Sequence, residues 1–265
     1  MAQTPGQPIA QMWDRICREA KEVIAAEPAL ASFVYATILA HDSLERVIVH
    51  RLAAALDHPE VPAELLRLTY EQALAADPTI AESFRADLAA VEERDPAAGK
   101  MIQPILYFKG FAAIQAHRLA HWLWNHSRRD LASYIQSRSS AAFGVDIHPA
   151  ARLGNGIMLD HGTGIVIGET AVIEDEVSIL QGVTLGGTGK ETGDRHPKIR
   201  RGVMIGAGAT VLGNIEIGAG ARVAAGSVVL RPVPAGKTVA GIPSKIVGDA
   251  DDPAHSMDQN FDPVI

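Results

Sequence analysis

Two short segments hold the side chains best suited to chemistry: Asp160-His161-Gly162-Thr163-Gly164 and Gly193-Asp194-Arg195-His196-Pro197-Lys198. A histidine titrates near neutrality, with a reference pKa of about 6.5, so His161 can take a proton from a hydroxyl at neutral pH. The plainer alternative is a surface histidine of a turn. A base of this kind works best with a carboxylate on its other ring nitrogen, which fixes the tautomer and stabilises the imidazolium. Asp146, fifteen residues upstream, is the candidate, and the spacing suggests adjacent turns of a repeat. Arg195 carries a planar guanidinium that binds carboxylates bidentately, which suits the α-carboxylate of an amino acid, with His196 as a second contact. Its alternative is a solvated loop charge. Cys17, the single cysteine, is a conceivable covalent nucleophile. Its place on the apolar face of a helix favours a buried structural thiol and direct transfer between two bound substrates.

Both segments interrupt a strict pattern. An aliphatic residue recurs every six positions through Ile147, Leu153, Leu159, then Ile167, Ile173, Ile179, Leu185, then Ile199, Ile205, Val211, Ile217, Val223 and Val229. A period of six is neither helical nor that of an ordinary half-buried strand; it predicts a parallel β-helix of hexapeptide repeats. One inward aliphatic per short strand stacks into apolar columns, and a single coil cannot bury its face alone. The phase slips by eight residues between Leu159 and Ile167 and by fourteen between Leu185 and Ile199. Those slips contain the two segments, so the regular coils are scaffold and the breaks carry the chemistry.

Residues 1–140 follow a helical grammar. Met12, Trp13, Ile16, Cys17, Ala20, Val23 and Ile24 share one helical face. Helices are expected near 29–40, 43–56, 62–76, 79–93 and, as one long stretch, 104–138. Asp77-Pro78 suits a helix start and Asp95-Pro96 a helix end. The division is thus a helical domain (1–140), a β-helix (141–248) and an acidic, disordered tail (249–265), an α+β multidomain chain. The 265 residues are 47% hydrophobic with a formal net charge of -7, which argues against a nucleic-acid partner. Residues 1–8 lack an apolar signal core, and no run nears the roughly 20 apolar residues of a membrane span, so a cytoplasmic location is expected.

The segments Asp146-Ile-His-Pro-Ala150, Gly156-Ile-Met-Leu-Asp-His161, Gly168-Glu-Thr-Ala171, Gly182-Val-Thr-Leu-Gly-Gly-Thr-Gly189 and Gly193-Asp-Arg-His-Pro-Lys198 resemble those of the serine O-acetyltransferases. The resemblance covers nearly the whole chain and implies a left-handed β-helix. It implies transfer of acetyl from acetyl-CoA to L-serine, giving O-acetyl-L-serine, the first step from serine to cysteine. It implies a His161–Asp146 dyad and serine contacts from Asp95, Asp160, Arg195 and His196. Acetyl-CoA would lie along a groove marked by Gly187, Thr188, Ala207 and Ala225, with Lys245 at a phosphate; small residues there permit close approach of the pantetheine arm. It further implies inhibition by L-cysteine and trimers paired into hexamers with sites between neighbouring β-helices. Ile265 would be inserted into O-acetylserine sulfhydrylase. No metal is expected.

Two other readings compete. A hexapeptide acyltransferase acting on a sugar or antibiotic would not need Arg195. A γ-class carbonic anhydrase would bind zinc through His148, His161 and His196, but it has no place for Asp-Arg-His-Pro or the helical domain.

Overall fold

The computed structural model describes residues 9–190 and 192–257. Helix α1 (Ile9–Ala26) is followed by α2 (Ala31–Val34), which runs into a π-helical turn over Tyr35–Leu39. Then come α3 (Leu44–Leu56), α4 (Ala63–Ala76) and α5 (Thr79–Arg94). Asp77 accepts from the Thr79 N–H at 3.0 Å, satisfying one of the free donors at the start of α5. Asp95, held extended before Pro96, ends that helix.

The expected long helix over 104–138 is three helices: α6 (Ile102–Tyr107), α7 (Lys109–Asn125) and α8 (Arg129–Phe143). Phe108 takes extended backbone (φ -90°, ψ 107°) and separates the first two. Ser127, at φ 60°, turns the chain between the second and third. Helix α8 stops at Gly144, which adopts φ 69° as a left-handed cap.

From Val145 the chain winds as a three-faced parallel β-helix. The first face stacks β1 (Val145–Ile147), β4 (Ile165–Ile167), β7 (Thr184–Gly186), β10 (Thr210–Leu212) and β13 (Val228–Val229). The second stacks β2 (Arg152–Leu153), β5 (Val172–Ile173), β8 (Lys198–Ile199) and β11 (Glu216–Ile217). The third stacks β3 (Met158–Leu159), β6 (Ser178–Ile179), β9 (Met204–Ile205), β12 (Arg222–Val223) and β14 (Lys237–Gly241).

The six-residue series becomes three columns. Ile147 aligns with Ile167, Leu185, Val211 and Val229. Leu153 aligns with Ile173, Ile199 and Ile217. Leu159 aligns with Ile179, Ile205, Val223 and Val239. All but the half-buried Leu153 are buried. Strand β15 (Ser244–Asp249) then folds back antiparallel on β14 and covers the open edge of that face. The repeat pattern alone gives no sign of this reversal.

The expected disorder from residue 249 does not extend over the described residues. Asp249 ends β15, and α9 (Pro253–Ser256) packs with Pro253 and Ala254 buried. Burial of two apolar side chains offsets the ordering cost that the polar, acidic composition suggested would prevail.

The helical domain is locked to the first coil by a buried ionic clamp. Asp87 on α5 is fully buried. It accepts from Gln115 Nε2 (2.9 Å) and from Arg118 Nε and Nη2 (2.9 and 2.6 Å) on α7, and from the backbone N–H of Ile157 (3.0 Å). Arg118 also donates to the Gly154 carbonyl at 2.9 Å. A buried charge this well satisfied holds orientation rather than adding much net stability; removing one partner would strand the other.

Candidate active site

His161 stands at the corner where the chain passes from the third face to the first. Two extra residues in this turn are the first phase break made structural. His161 itself adopts φ 56°, flanked by Gly162 at 73° and Gly164 at 78°. A non-glycine residue in the left-handed region is uncommon, and here it throws the imidazole outward: the side chain is 73% exposed. Helix α7 supports the turn from behind. Gly110 packs so closely that an added Cβ would lie 2.0 Å from the Leu159 carbonyl oxygen. Lys109 beside it donates to the Thr163 hydroxyl.

In front of the turn lies a cavity of about 510 Å³, with Asp95, Asp160, His161, Lys109, Leu180 and Met257 among its lining. It joins Asp95 from the end of α5 to Asp160 and His161 from the β-helix, as the family pattern implied. Burial pushes the Asp160 carboxyl above the usual range; the Asp95 charge adds to this, while the His161 ring opposes it. Two acids that share one cavity can receive a cationic group, whose arrival would offset both effects. One Asp95 oxygen already accepts from the Ala97 N–H at 2.8 Å, which fixes the rotamer and leaves the other oxygen for a ligand.

Arg195 and His196 lie at a different corner, where the first face passes to the second. Their loop occupies the second phase break, between β7 and β8. Arg195 Nη2 donates to Glu169 at 2.7 Å and Nη1 to the Gly193 carbonyl at 3.1 Å. The Thr170 hydroxyl accepts from the backbone N–H groups of Arg195 (3.0 Å) and His196 (3.1 Å). The Thr170 N–H lies 3.2 Å from His196 Nδ1, so Nδ1 accepts and the ring proton is assigned to Nε2. Burial, helped by the neighbouring Arg195 charge, pulls the His196 pKa down, so the ring stays neutral and offers one donor. The imidazole covers Gly168, where a Cβ would sit 2.0 Å from its Cδ2.

The expected His161–Asp146 contact is not made within one chain. Asp146 accepts from Gln136 Nε2 of α8 at 2.7 Å, and the acid nearest His161 Nε2 is Asp160 at 3.8 Å. Asp146 aligns with Val166, so one turn here holds twenty residues, and a separation of fifteen falls short of a full turn. Asp146 and His161 therefore belong to the same coil, on different faces.

Ala207 and Ala225 do stack on successive coils, below the His161 corner: Met204 aligns with Arg222, eighteen residues on, and Gly226 N–H donates to the Ala207 carbonyl at 2.8 Å. Gly187 packs against the Arg195 stem. Thr188 is exposed next to Gly213, and Lys245 is exposed on β15. Cys17 is half-buried rather than buried, and burial pushes its thiol up, which disfavours a thiolate. His148 lies with the Arg195 corner, its ring nitrogen accepting from the Ala150 N–H at 3.1 Å, so the trio of the zinc reading is not assembled within the chain.

Sequence reasoning missed Glu169 and Thr170 as the supports of Arg195 and His196, Gln136 as the partner of Asp146, and Lys109 beside the His161 turn. Gly168-Glu169-Thr170 stood among the recognised motifs, but nothing in its spacing said which loop it would meet.

The hexapeptide β-helix places the chain among the hexapeptide-repeat transferases, and residues 196–231 match the bacterial transferase hexapeptide model. Residues 12–116 match the serine acetyltransferase N-terminal model. The serine acetyltransferase of Escherichia coli K12 is 57% identical over 252 residues, 94% of this chain and 92% of that protein. A solved serine acetyltransferase from Brucella abortus in complex with coenzyme A is 56% identical, with a TM-score of 0.90 over 91% of this chain and 96% of that one. A serine acetyltransferase in complex with cysteine gives 54% identity and a TM-score of 0.94 over 96% of this chain and 100% of that one. The chain belongs to the serine acetyltransferase family. It is an acyltransferase that moves acetyl from acetyl-CoA to the serine hydroxyl.

Proposed function

We propose that the reaction runs at a site shared by two copies of the chain, with His161 as general base. The observation that carries this is the separation of the two corners. Asp95, Asp160 and His161 share one cavity, while Arg195 and His196 stand across the first face of the same β-helix. Serine is too small to span a face, so its two charged ends are met only if the Arg195 corner of one copy faces the His161 corner of the next. Asp146, outward on the first face, then comes from that neighbouring copy to orient the imidazole.

In this arrangement the Asp95 and Asp160 carboxylates hold the α-ammonium, and Arg195 with His196 holds the α-carboxylate. His161 takes the hydroxyl proton as the oxygen attacks the thioester carbonyl. The tetrahedral oxyanion collapses, expelling the CoA thiolate, and the imidazolium returns the proton to that sulfur. The coenzyme follows the small-residue edge through Ala207 and Ala225 of one copy, meeting Gly187 and Thr188 of the other, with Lys245 at a phosphate. The raised Cys17 thiol supports transfer in a ternary complex rather than through an acetyl-enzyme. L-Cysteine, with a thiol for the hydroxyl, fits the same contacts and is the feedback inhibitor.

The copies form trimers through the β-helix, paired by the helical domains into hexamers. The sulfhydrylase partnership assigned to Ile265 falls outside the described residues and rests on the family pattern alone. Among the described residues no helix is long and apolar enough to cross a membrane, which is compatible with a cytoplasmic site of action.

Thiol release measured with L-serine and L-serine methyl ester tests the clamp. Arg195→Ala should cost about tenfold or more in kcat/KM for serine and little for the ester, which lacks the carboxylate charge. An equal loss on both acceptors would overturn the assignment.

A further inference from the structure

Asp95 is the first residue beyond α5, at a helix end that would ordinarily fray. It also faces another acid. Something must hold it there, and the residue before it supplies the anchor. The Arg94 side chain is 0% exposed. Its Nη1 donates to the Gly156 carbonyl at 3.0 Å and lies 3.3 Å from the Ser178 hydroxyl; its Nη2 pairs with Glu176. Gly156 precedes β3 and Ser178 opens β6, so one guanidinium ties the end of α5 to two successive coils of the β-helix. Asp160 directly follows β3, and Gly156, whose carbonyl Arg94 grips, lies two residues before that strand begins.

The same cluster receives the C-terminal segment. Ser178 Oγ donates to the Ala254 carbonyl at 2.9 Å, and His255 Nε2 stands 3.9 Å from Glu176 and 3.8 Å from Glu93. Helix α9 thus rests on the partners of Arg94, and Met257 just beyond it lines the cavity that holds Asp95 and Asp160.

We propose that Arg94 is a positioning residue for serine: its buried guanidinium sets the separation of the Asp95 and Asp160 carboxylates and supports the C-terminal segment at the cavity mouth. The inference rests on the reading that those two acids hold the serine ammonium. The helix C-terminus favours a cation at this position, and a charge this enclosed transmits displacement because it has nowhere else to pair.

Full-length Arg94→Met, Arg94→Lys, Glu176→Gln and Asp95→Asn, assayed over serine and acetyl-CoA concentrations, test it. Arg94→Met should raise the serine KM about tenfold or more, with kcat at saturating serine and the acetyl-CoA KM within about twofold. Lysine, which cannot reach all three acceptors, should fall between. If the methionine variant does not fold, Glu176→Gln carries the test, with a serine KM raised about threefold. A loss confined to kcat or to melting temperature, with serine KM unmoved in the lysine and Glu176 variants, would mean a merely structural arginine and overturn the proposal. Asp95→Asn separates the two claims. If it raises serine KM and the Arg94 and Glu176 variants do not, only this proposal fails. If Asp95→Asn leaves serine KM unchanged, the ammonium reading fails and takes the proposal with it.

Discussion

The His161 corner and the Arg195 corner are built from the same repeat, yet they are held in different ways. At the first, the helical domain does the positioning: Gly110 and Lys109 of α7 abut the turn, and Asp95 arrives on α5. Acid charge there is concentrated, with Asp160 raised by burial and by Asp95. At the second, a loop holds itself. Thr170 accepts from two backbone N–H groups of the loop, Lys198 donates to the Thr170 and His196 carbonyls (both 2.8 Å), and Arg195 is already neutralised by Glu169. The difference teaches that one corner gathers acids held by the helical domain, while the other holds a guanidinium already paired within its own loop; on the proposed reading the first takes a cation and the second shares its partner with an arriving carboxylate.

The sharpest way to break the comparison is at the base. His161→Ala should lower kcat by roughly 10²–10⁴ with little change in serine KM, because a general base acts in the transition state and the acids still bind the ammonium. Steady-state thiol release checks it, and persistent activity would overturn the mechanism. At the other corner, Arg195→Ala should act mainly on serine KM, by about 10- to 100-fold, leaving acetyl-CoA KM unchanged.

Gly168→Ala probes the loop without touching a charge. Its Cβ would drive the His196 imidazole from its seat, and a several-fold rise in serine KM, about 3- to 10-fold, is expected from the same assay. A smaller effect is expected from Asp160→Asn on stability. The native Asp160 carboxyl holds its proton more tightly than it would unfolded, so its favourable contribution exists at low pH and is lost as pH rises through the raised pKa. The asparagine variant should therefore melt on the order of 1–3 °C above wild type at pH 8, the gap closing toward pH 4, while serine binding is lost.

Much of the β-helix was legible because one side chain in six carries its structural role: every residue of the aliphatic series joins a column. His161 and Arg195 were legible for the converse reason, since a strict period makes its interruptions visible. Other features left no such trace. Ser127 breaks a helix with neither glycine nor proline at hand, so α7 and α8 read as one. Coil length varies, twenty residues at Asp146 and eighteen at Met204, so a fixed spacing could not place Asp146 against His161. Asp87 and Arg94 were legible in principle. They share the buried face of α5 with Ile80, Phe84, Leu88 and Val91, and a charge on an apolar stripe asks for a buried partner.

The central claim is that neither corner is a site by itself. Co-expression of His161→Ala and Arg195→Ala chains, carrying different tags, tests it directly. Assayed at serine well below the wild-type KM, the His161 variant alone should be nearly inactive and the Arg195 variant alone reduced about 10- to 100-fold. In randomly mixed trimers a site with an intact His161 from one copy and an intact Arg195 from its neighbour arises in about one quarter of cases, so about a quarter of wild-type activity should return. Mixed oligomers that form, recovered through both tags, and show no more activity at that serine concentration than the two separate variants account for would contradict a shared site.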